Sequence, residues 1–188
     1  KTVVAKVPPN QSPPTLAFGK EILGQLTDAA VVLWDTKHCA KLKKFPAKAP
    51  RGISGLADGT LVYVEAPEPA TVKVTHVTAN GSRKSFPATL RTPQDEHFRV
   101  LPNSAEASRF WILLPGAKPS LYAARLAIAD GELDVPDILH PPAGVERSLV
   151  ELVGGELYFI DGPRLKSPRE NGRQLALPKE VGVPTHLS

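Results

Sequence analysis

The sequence predicts an all-β chain of about four antiparallel four-stranded units. Three observations carry that prediction: a proline content that disfavours long helices, turn dipeptides set between short apolar runs, and a near-repeat, "KKFPA" at 43–47 and "KSFPA" at 84–88. Twenty prolines in 188 residues is about double the usual ~5%. Proline removes a backbone donor and breaks helix interiors, so it favours short segments joined by stiff turns.

The dipeptides Asn80-Gly81, Asp130-Gly131 and Asn171-Gly172 suit a type I′ hairpin, which asks for positive φ at both central positions. Asp58-Gly59 and Gly154-Gly155 precede "LVYVE" at 61–65 and "LYFID" at 157–161, and "FWILL" at 110–114 falls between these runs. Runs of this length without alternation read as strands buried on both faces. The recurrence distances of 41 to 50 residues match a repeating unit of about 40–50 residues. The units fall at about 15–48, 51–89, 97–139 and 146–180. In the first the strands are "TLAF", "EILGQL", "VVLWDTK" and "KLKKFPA"; in the second "RGISGLA", "TLVYVEA", "TVKVTHVT" and "SRKSFPA". The third reads "HFRVLP", "RFWILLP", "SLYAARLAIA" and "ELDVPDIL", and the fourth "RSLVELV", "ELYFIDG", a poor third strand in "PRLKSPR", and "RQLALPK". Both FPA segments then end a fourth, outermost strand, where proline stops the ladder. The alanine-rich "SLYAARLAIA" also suits a helix. However, Tyr122, Ala124, Leu126 and Ile128 fall on one side of a strand and Arg125 on the other, and this period of two favours a strand.

Units of this size and make-up are those of a β-propeller-like array, either a closed four-bladed ring or an arc of a larger one, since rings hold about four to eight blades. The segment "VVLWDTKHCAKLKKFPA" resembles the end of a WD40-type blade, in which a strand closing on Trp-Asp, here Trp34 and Asp35, leads through a turn to a basic outer strand. The resemblance covers about seventeen residues of one unit and implies propeller architecture. If the array is an arc, its exposed faces call for another chain or another copy. Residues 1–14, "KTVVAKVPPNQSPP", read as an extended arm of polyproline character.

The remaining composition, 41% hydrophobic and 22% charged, is that of an ordinary globular domain. A net charge of +4 tilts the surface only slightly toward acidic partners. The one cysteine, Cys39, excludes an intrachain disulfide framework and leaves the compartment open. No stretch approaches the ~20 apolar residues of a membrane-spanning helix. The chain starts at Lys1 without methionine, which fits a removed leader or a piece of a longer protein.

For chemistry, Asp35, His38 and Cys39 are the only nominees, as a metal site or an imidazole-activated thiolate. Adjacent strand residues point to opposite faces, so His38 and Cys39 could meet one ion only if the chain turns there. The other histidines, His76, His97, His140 and His186, are scattered. "GISGL" at 52–56 lacks the second glycine of a nucleophile elbow. There is no phosphate-binding glycine loop, dinucleotide fingerprint or zinc-protease helix motif, and no cofactor is expected. Glu65, Glu68, Asp95 and Glu96 read as loop carboxylates. Trp34 and Trp111 read as core anchors. Asn80-Gly81-Ser82 fits an N-glycosylation acceptor as well as a turn.

Lys41, Lys43, Lys44, Arg83 and Lys84 form a candidate basic patch on neighbouring outer strands, flanked by Lys37, Lys48, Arg51 and Lys73. Such charges protect sheet edges from pairing with other chains. No aromatic side chains interleave with them as nucleic-acid stacking platforms require. The expected function is therefore a non-catalytic binding or scaffolding module that takes a protein or peptide partner, or that self-associates to complete the ring. The alternatives are an enzyme or enzyme subunit with its site at a central mouth, and a weak anion or nucleic-acid binder.

Overall fold

The computed structural model describes residues 15–68, 71–89, 98–103, 105–106, 108–114, 120–127, 132–140, 149–151, 157–161, 164–167 and 174–176. The expected N-terminal arm lies outside them, as do the turns at Asp130-Gly131 and Asn171-Gly172 and the carboxylates Asp95 and Glu96. Within them the chain is all-β.

The first sheet is a meander of β1 (Thr15–Phe18), β2 (Ile22–Thr27), β3 (Ala30–Asp35) and β4 (Ala40–Pro46). The second comprises β5 (Pro50–Gly55), β6 (Leu61–Glu68), β7 (Thr71–Val77) and β8 (Arg83–Thr89). The third comprises β9 (Arg99–Pro102), β10 (Arg109–Leu114), β11 (Ser120–Ala127) and β12 (Glu132–Leu139). The fourth comprises β13 (Leu149–Glu151), β14 (Leu157–Asp161), β15 (Arg164–Lys166) and β16 (Gln174–Ala176). Every pairing is between sequence neighbours and antiparallel. Short connections account for this, because they bring consecutive strands together as hairpins.

The alanine-rich segment is strand β11. Tyr122, Ala124 and Leu126 are buried in the cluster shared with the second sheet and Leu121 in that shared with the fourth, while Arg125 is exposed, so packing on both faces of the strand outweighs alanine's helix preference. The turns differ from expectation. Gly81 has φ +78° and Gly59 φ +84°, but Asn80 and Asp58 are not in the left-handed region. Gly81 N–H donates to the Thr78 carbonyl at 2.8 Å while Thr78 N–H donates to Ser82 O at 3.0 Å. The Leu56–Thr60 turn repeats that pair of bonds at 2.9 and 2.8 Å. Both are three-residue loops ending on a left-handed glycine rather than two-residue type I′ turns. Asn80 and Asp58 instead cap them, each accepting a backbone N–H two residues on at 2.9 Å.

The sheets pack in series through three apolar clusters. Leu26, Val31, Leu33 and Phe45 of the first sheet meet Ile53, Leu61, Tyr63 and Val77 of the second. Val62, Val64, Val74 and Phe86 of the second meet Val100, Phe110, Ile112 and Tyr122 of the third. Trp111, Leu113 and Leu121 of the third meet Leu157 and Phe159 of the fourth. Alternate residues of one strand serve opposite junctions, which is why "LVYVE" and "FWILL" are buried throughout. The leading strands approach backbone to backbone. A Cβ on Gly55 would lie 2.0 Å from the Phe18 carbonyl oxygen, and one on Gly52 2.6 Å from that of Phe98. These two glycines let β1 and β9 close on either side of β5.

Candidate functional site

The Trp-Asp segment ends β3 and enters a turn over residues 36–39. Asp35 closes that turn. Its Oδ1 accepts the N–H groups of Lys37 (2.7 Å) and His38 (2.9 Å), and its Oδ2 accepts Nδ1–H of His38 at 2.8 Å. The His38 side-chain hydrogen bond, followed by the His38 and Lys37 backbone donors, holds the Asp35 carboxyl below its ordinary value near 3.8. Cys39 sits in the left-handed region at φ 51°. Its thiol is exposed and lies 4.0 Å from the Thr36 carbonyl. The chain does turn between His38 and Cys39, but no hydrogen bond joins their side chains among the described residues. Nor does any group of three or more His, Cys, Asp or Glu among those residues suit a metal ion. Asp35 and His38 make an oriented surface dyad whose evident work is to close the β3–β4 turn. Trp34 is half-buried and donates from Nε1 to Gln25 Oε1 at 3.3 Å, whereas Trp111 is buried in the third junction.

The five basic residues are distributed over three surfaces. A register shift between Leu33 and Trp34 sets Lys41 opposite Trp34 and Lys43 opposite Leu33. Lys41 and Lys44 consequently share the face of Trp34 and Val32, away from the second sheet. Lys43 lies on the other face, where its Nζ reaches the carbonyls of Asn80 (3.4 Å) and Gly81 (3.5 Å). Arg83 joins it at that junction, with its guanidinium carbon 3.9 Å from the Phe45 ring centroid. Lys84 belongs to the opposite face of β8, with Nζ 5.7 Å from the centroid of Phe86. Lys43 and Arg83 act as cross-sheet clasps. The rings beneath Arg83 and Lys84 are buried, so neither offers a surface on which a base could stack.

Two polar groups escaped the sequence reading. Glu65 is a buried residue of β6 rather than a loop carboxylate. Its Oε1 accepts the Lys48 N–H at 2.7 Å, and its Oε2 pairs with Lys73 Nζ at 2.6 Å, an ion pair more than a well-directed hydrogen bond. The signal was available: a glutamate ends a wholly apolar run, and a lysine stands eight residues on in the next strand.

The second group is His76, buried on β7, with Nε2 2.8 Å from Thr60 Oγ1. Thr60 donates its one hydroxyl proton to Asp58 Oδ1 at 2.6 Å. It therefore accepts from His76, which places the imidazole proton on Nε2. Burial pushes the His76 pKa below its ordinary 6.5, and the Asp58 charge offsets part of that shift. The unfolded chain then binds a proton at a higher pH than the folded chain does. The contribution of His76 to stability is complete above about pH 6.5 and is lost as pH drops toward the depressed folded value. Urea midpoints between about pH 7.5 and 5 should fall less in His76→Gln than in the wild type. An equal fall in both would remove His76 as the cause.

No family model matches the chain, and no curated protein matches it. Among solved structures the chain is similar to a protein of unknown function from Bacteroides caccae, at 12% identity and a TM-score of 0.51, over 86% of this chain and 59% of that one. It is also similar to the extracellular domain of BT4673 from B. thetaiotaomicron, described in one structure as a one component system and in another as a hybrid two component system. Those two matches have TM-scores of 0.47 and 0.49, each at 12% identity over 96% of this chain and 25% of that one. The chain thus spans 59% of the first of these proteins and a quarter of the second, and the likeness to the B. caccae protein is one of fold alone.

Proposed function

We propose that the chain is a non-catalytic binding or scaffolding module, with its four sheets arranged as the blades of a propeller-like array, and that it recognises a protein or peptide partner. The observation that carries this reading is the face the first sheet turns away from the second. There Phe18 is 69% exposed and Leu16 48%, beside half-buried Leu23 and Trp34 across the register. At each of the three internal junctions a face of this make-up is covered by the adjoining sheet. Contiguous apolar surface left uncovered on a folded domain marks an interaction site. The propeller arrangement is supported by the close approach of β1 and β9 to β5, as expected of innermost strands gathered about an axis.

The test is capture from native host extract at modest salt, with the wild type compared against Phe18→Asp and against the double variant His38→Ala/Cys39→Ser. The expected result is a partner retained by the wild type and the double variant and lost from Phe18→Asp. Loss with the double variant and retention by Phe18→Asp would move the function to the Asp35–His38 turn.

A further inference from the structure

The outer strands of the first two sheets carry no acid. Neither 36–57 nor 69–94 contains an aspartate or a glutamate, so β4 and β8 present cations alone. The nearest acid before β4, Asp35, is spent on closing its turn. Lys41 and Lys44 leave by the open face of the first sheet, and Lys84 by the face the second sheet turns toward the third. Lys43 and Arg83 do not diverge: they meet where the first sheet packs on the second. Like charges set side by side repel, and among the described residues no carboxylate pairs with either.

Both cations are held in place. The stem of Lys43 lies across Gly81, where an added Cβ would be 3.0 Å from Cδ and 3.2 Å from Nζ. Its ammonium rests on the Asn80 and Gly81 carbonyls at 3.4 and 3.5 Å, which leaves one of its three donors unspent. The Arg83 guanidinium lies over the Phe45 ring, 3.9 Å from the centroid. Stacking occupies the face of a guanidinium and leaves the N–H groups at its edge, and none of those of Arg83 meets an acceptor among the described residues. Two residues along β8 on the same face, the exposed Ser85 shares a hydrogen bond of 3.0 Å with the buried Thr75 hydroxyl. When Thr75 donates, Ser85 has its own proton to give outward.

We infer that the rim of this first junction, between β4 and β8, is an anion site whose ligand is a phosphate monoester held by Lys43, Arg83 and Ser85. A site built of donors, with two positive charges and no negative one, asks for a group that only accepts and that carries a matching charge. A phosphate monoester supplies about −1.5 to −2 charge at pH 7 and three acceptor oxygens. The Arg83 fork suits two of those oxygens side by side, and the Lys43 ammonium answers the third as a point charge. A carboxylate would balance only one of the two cations. Because the guanidinium is already stacked and the lysine already pinned on Gly81, little side-chain freedom remains to be lost on binding. Phe18 lies on the opposite face of the first sheet, so this site is separate from the proposed partner surface and stands or falls without it.

Nuclear magnetic resonance titration of the isotope-labelled chain with inorganic phosphate, at about pH 7.5 and fixed ionic strength, reads the site through the Gly81 and Ser82 amides. The expected result is a saturable displacement of those signals, with affinity weakened about tenfold or more in Lys43→Met and in Arg83→Lys. Arg83→Lys keeps the charge and removes only the fork. Lys44→Met removes the same charge as Lys43→Met from the opposite face of β4 and should leave the affinity within about twofold. A capped phosphoserine peptide that displaces phosphate at lower concentration makes a phosphorylated chain the source of the group, and one that competes no better than phosphate makes it a small phosphate ester. Three results would overturn the inference: no saturable displacement in the wild type, equal weakening by Lys44→Met and Lys43→Met, which would reduce the effect to net charge, or acetate binding as tightly as phosphate, which would make the ligand a carboxylate.

Discussion

Replacing Lys73 with alanine is expected to destabilise the chain by about 3 kcal/mol, more than replacing its partner Glu65, although Glu65 is the buried member. The Glu65 side chain is 1% exposed and that of Lys73 40%. In Lys73→Ala the carboxylate stays inside the sheet stack with the Lys48 N–H as its one remaining partner among the described residues, and an uncompensated buried charge is the costly product. In Glu65→Ala the freed ammonium turns into water, and what remains is one backbone donor without its acceptor, a loss of about 1–2 kcal/mol. Replacing both by leucine should recover most of the stability, since two apolar groups need no solvation. Urea denaturation of the three variants measures this. A Lys73→Ala change within about 0.5 kcal/mol of wild type would mean that the ion pair does not govern the site.

Much of the strand layout was legible because the topology is local. "TVKVTHVT" becomes β7 at Thr71–Val77, and "ELDVPDIL" becomes β12 at Glu132–Leu139. Each strand pairs with its sequence neighbour, so apolar runs separated by turn residues already define the sheets. The poor third strand of the last unit, "PRLKSPR", forms as the three-residue β15, held by ladders on both sides despite weak local preference. Side-chain direction was less legible. Lys41 and Lys43, two residues apart, share a face in any regular strand, and the irregularity opposite Leu33 and Trp34 parts them. No pattern of residue types announces that shift, so the basic patch reads as one surface in the sequence and occupies three in the structure. Glu65 was misplaced for the opposite reason. A charged residue at the end of an apolar run looks like the exit from the core until its cross-strand lysine is known. The chemistry of the Trp-Asp turn also depended on geometry, because only the hydrogen bonds show that Asp35 is occupied in closing it.

The twin FPA segments lead to the second large effect, a loss of about 3–5 kcal/mol in Phe86→Ala. Phe45 and Phe86 occupy corresponding places on β4 and β8, the outer strands of consecutive sheets, and each inserts into the junction its own sheet shares with another. Phe86 is fully enclosed between the second and third sheets. Removing its ring opens a cavity bounded by two sheets whose backbones are already in contact at Gly52 and Phe98, so the site cannot collapse cheaply. Phe45 is 8% exposed and lies beneath the Arg83 guanidinium. That long side chain can settle into the space a smaller residue leaves, and Phe45→Ala should therefore cost visibly less, about 2–3 kcal/mol. Arg83→Ala should lose about 0.5–1 kcal/mol in the wild type and almost nothing once Phe45 is gone, because the ring is what the cation rests on. Chemical denaturation of the set decides the matter. Equal costs at the two phenylalanines would show that the repeated segment supplies generic apolar area, whereas the expected inequality follows from one ring sealed between sheets and the other capped at an edge.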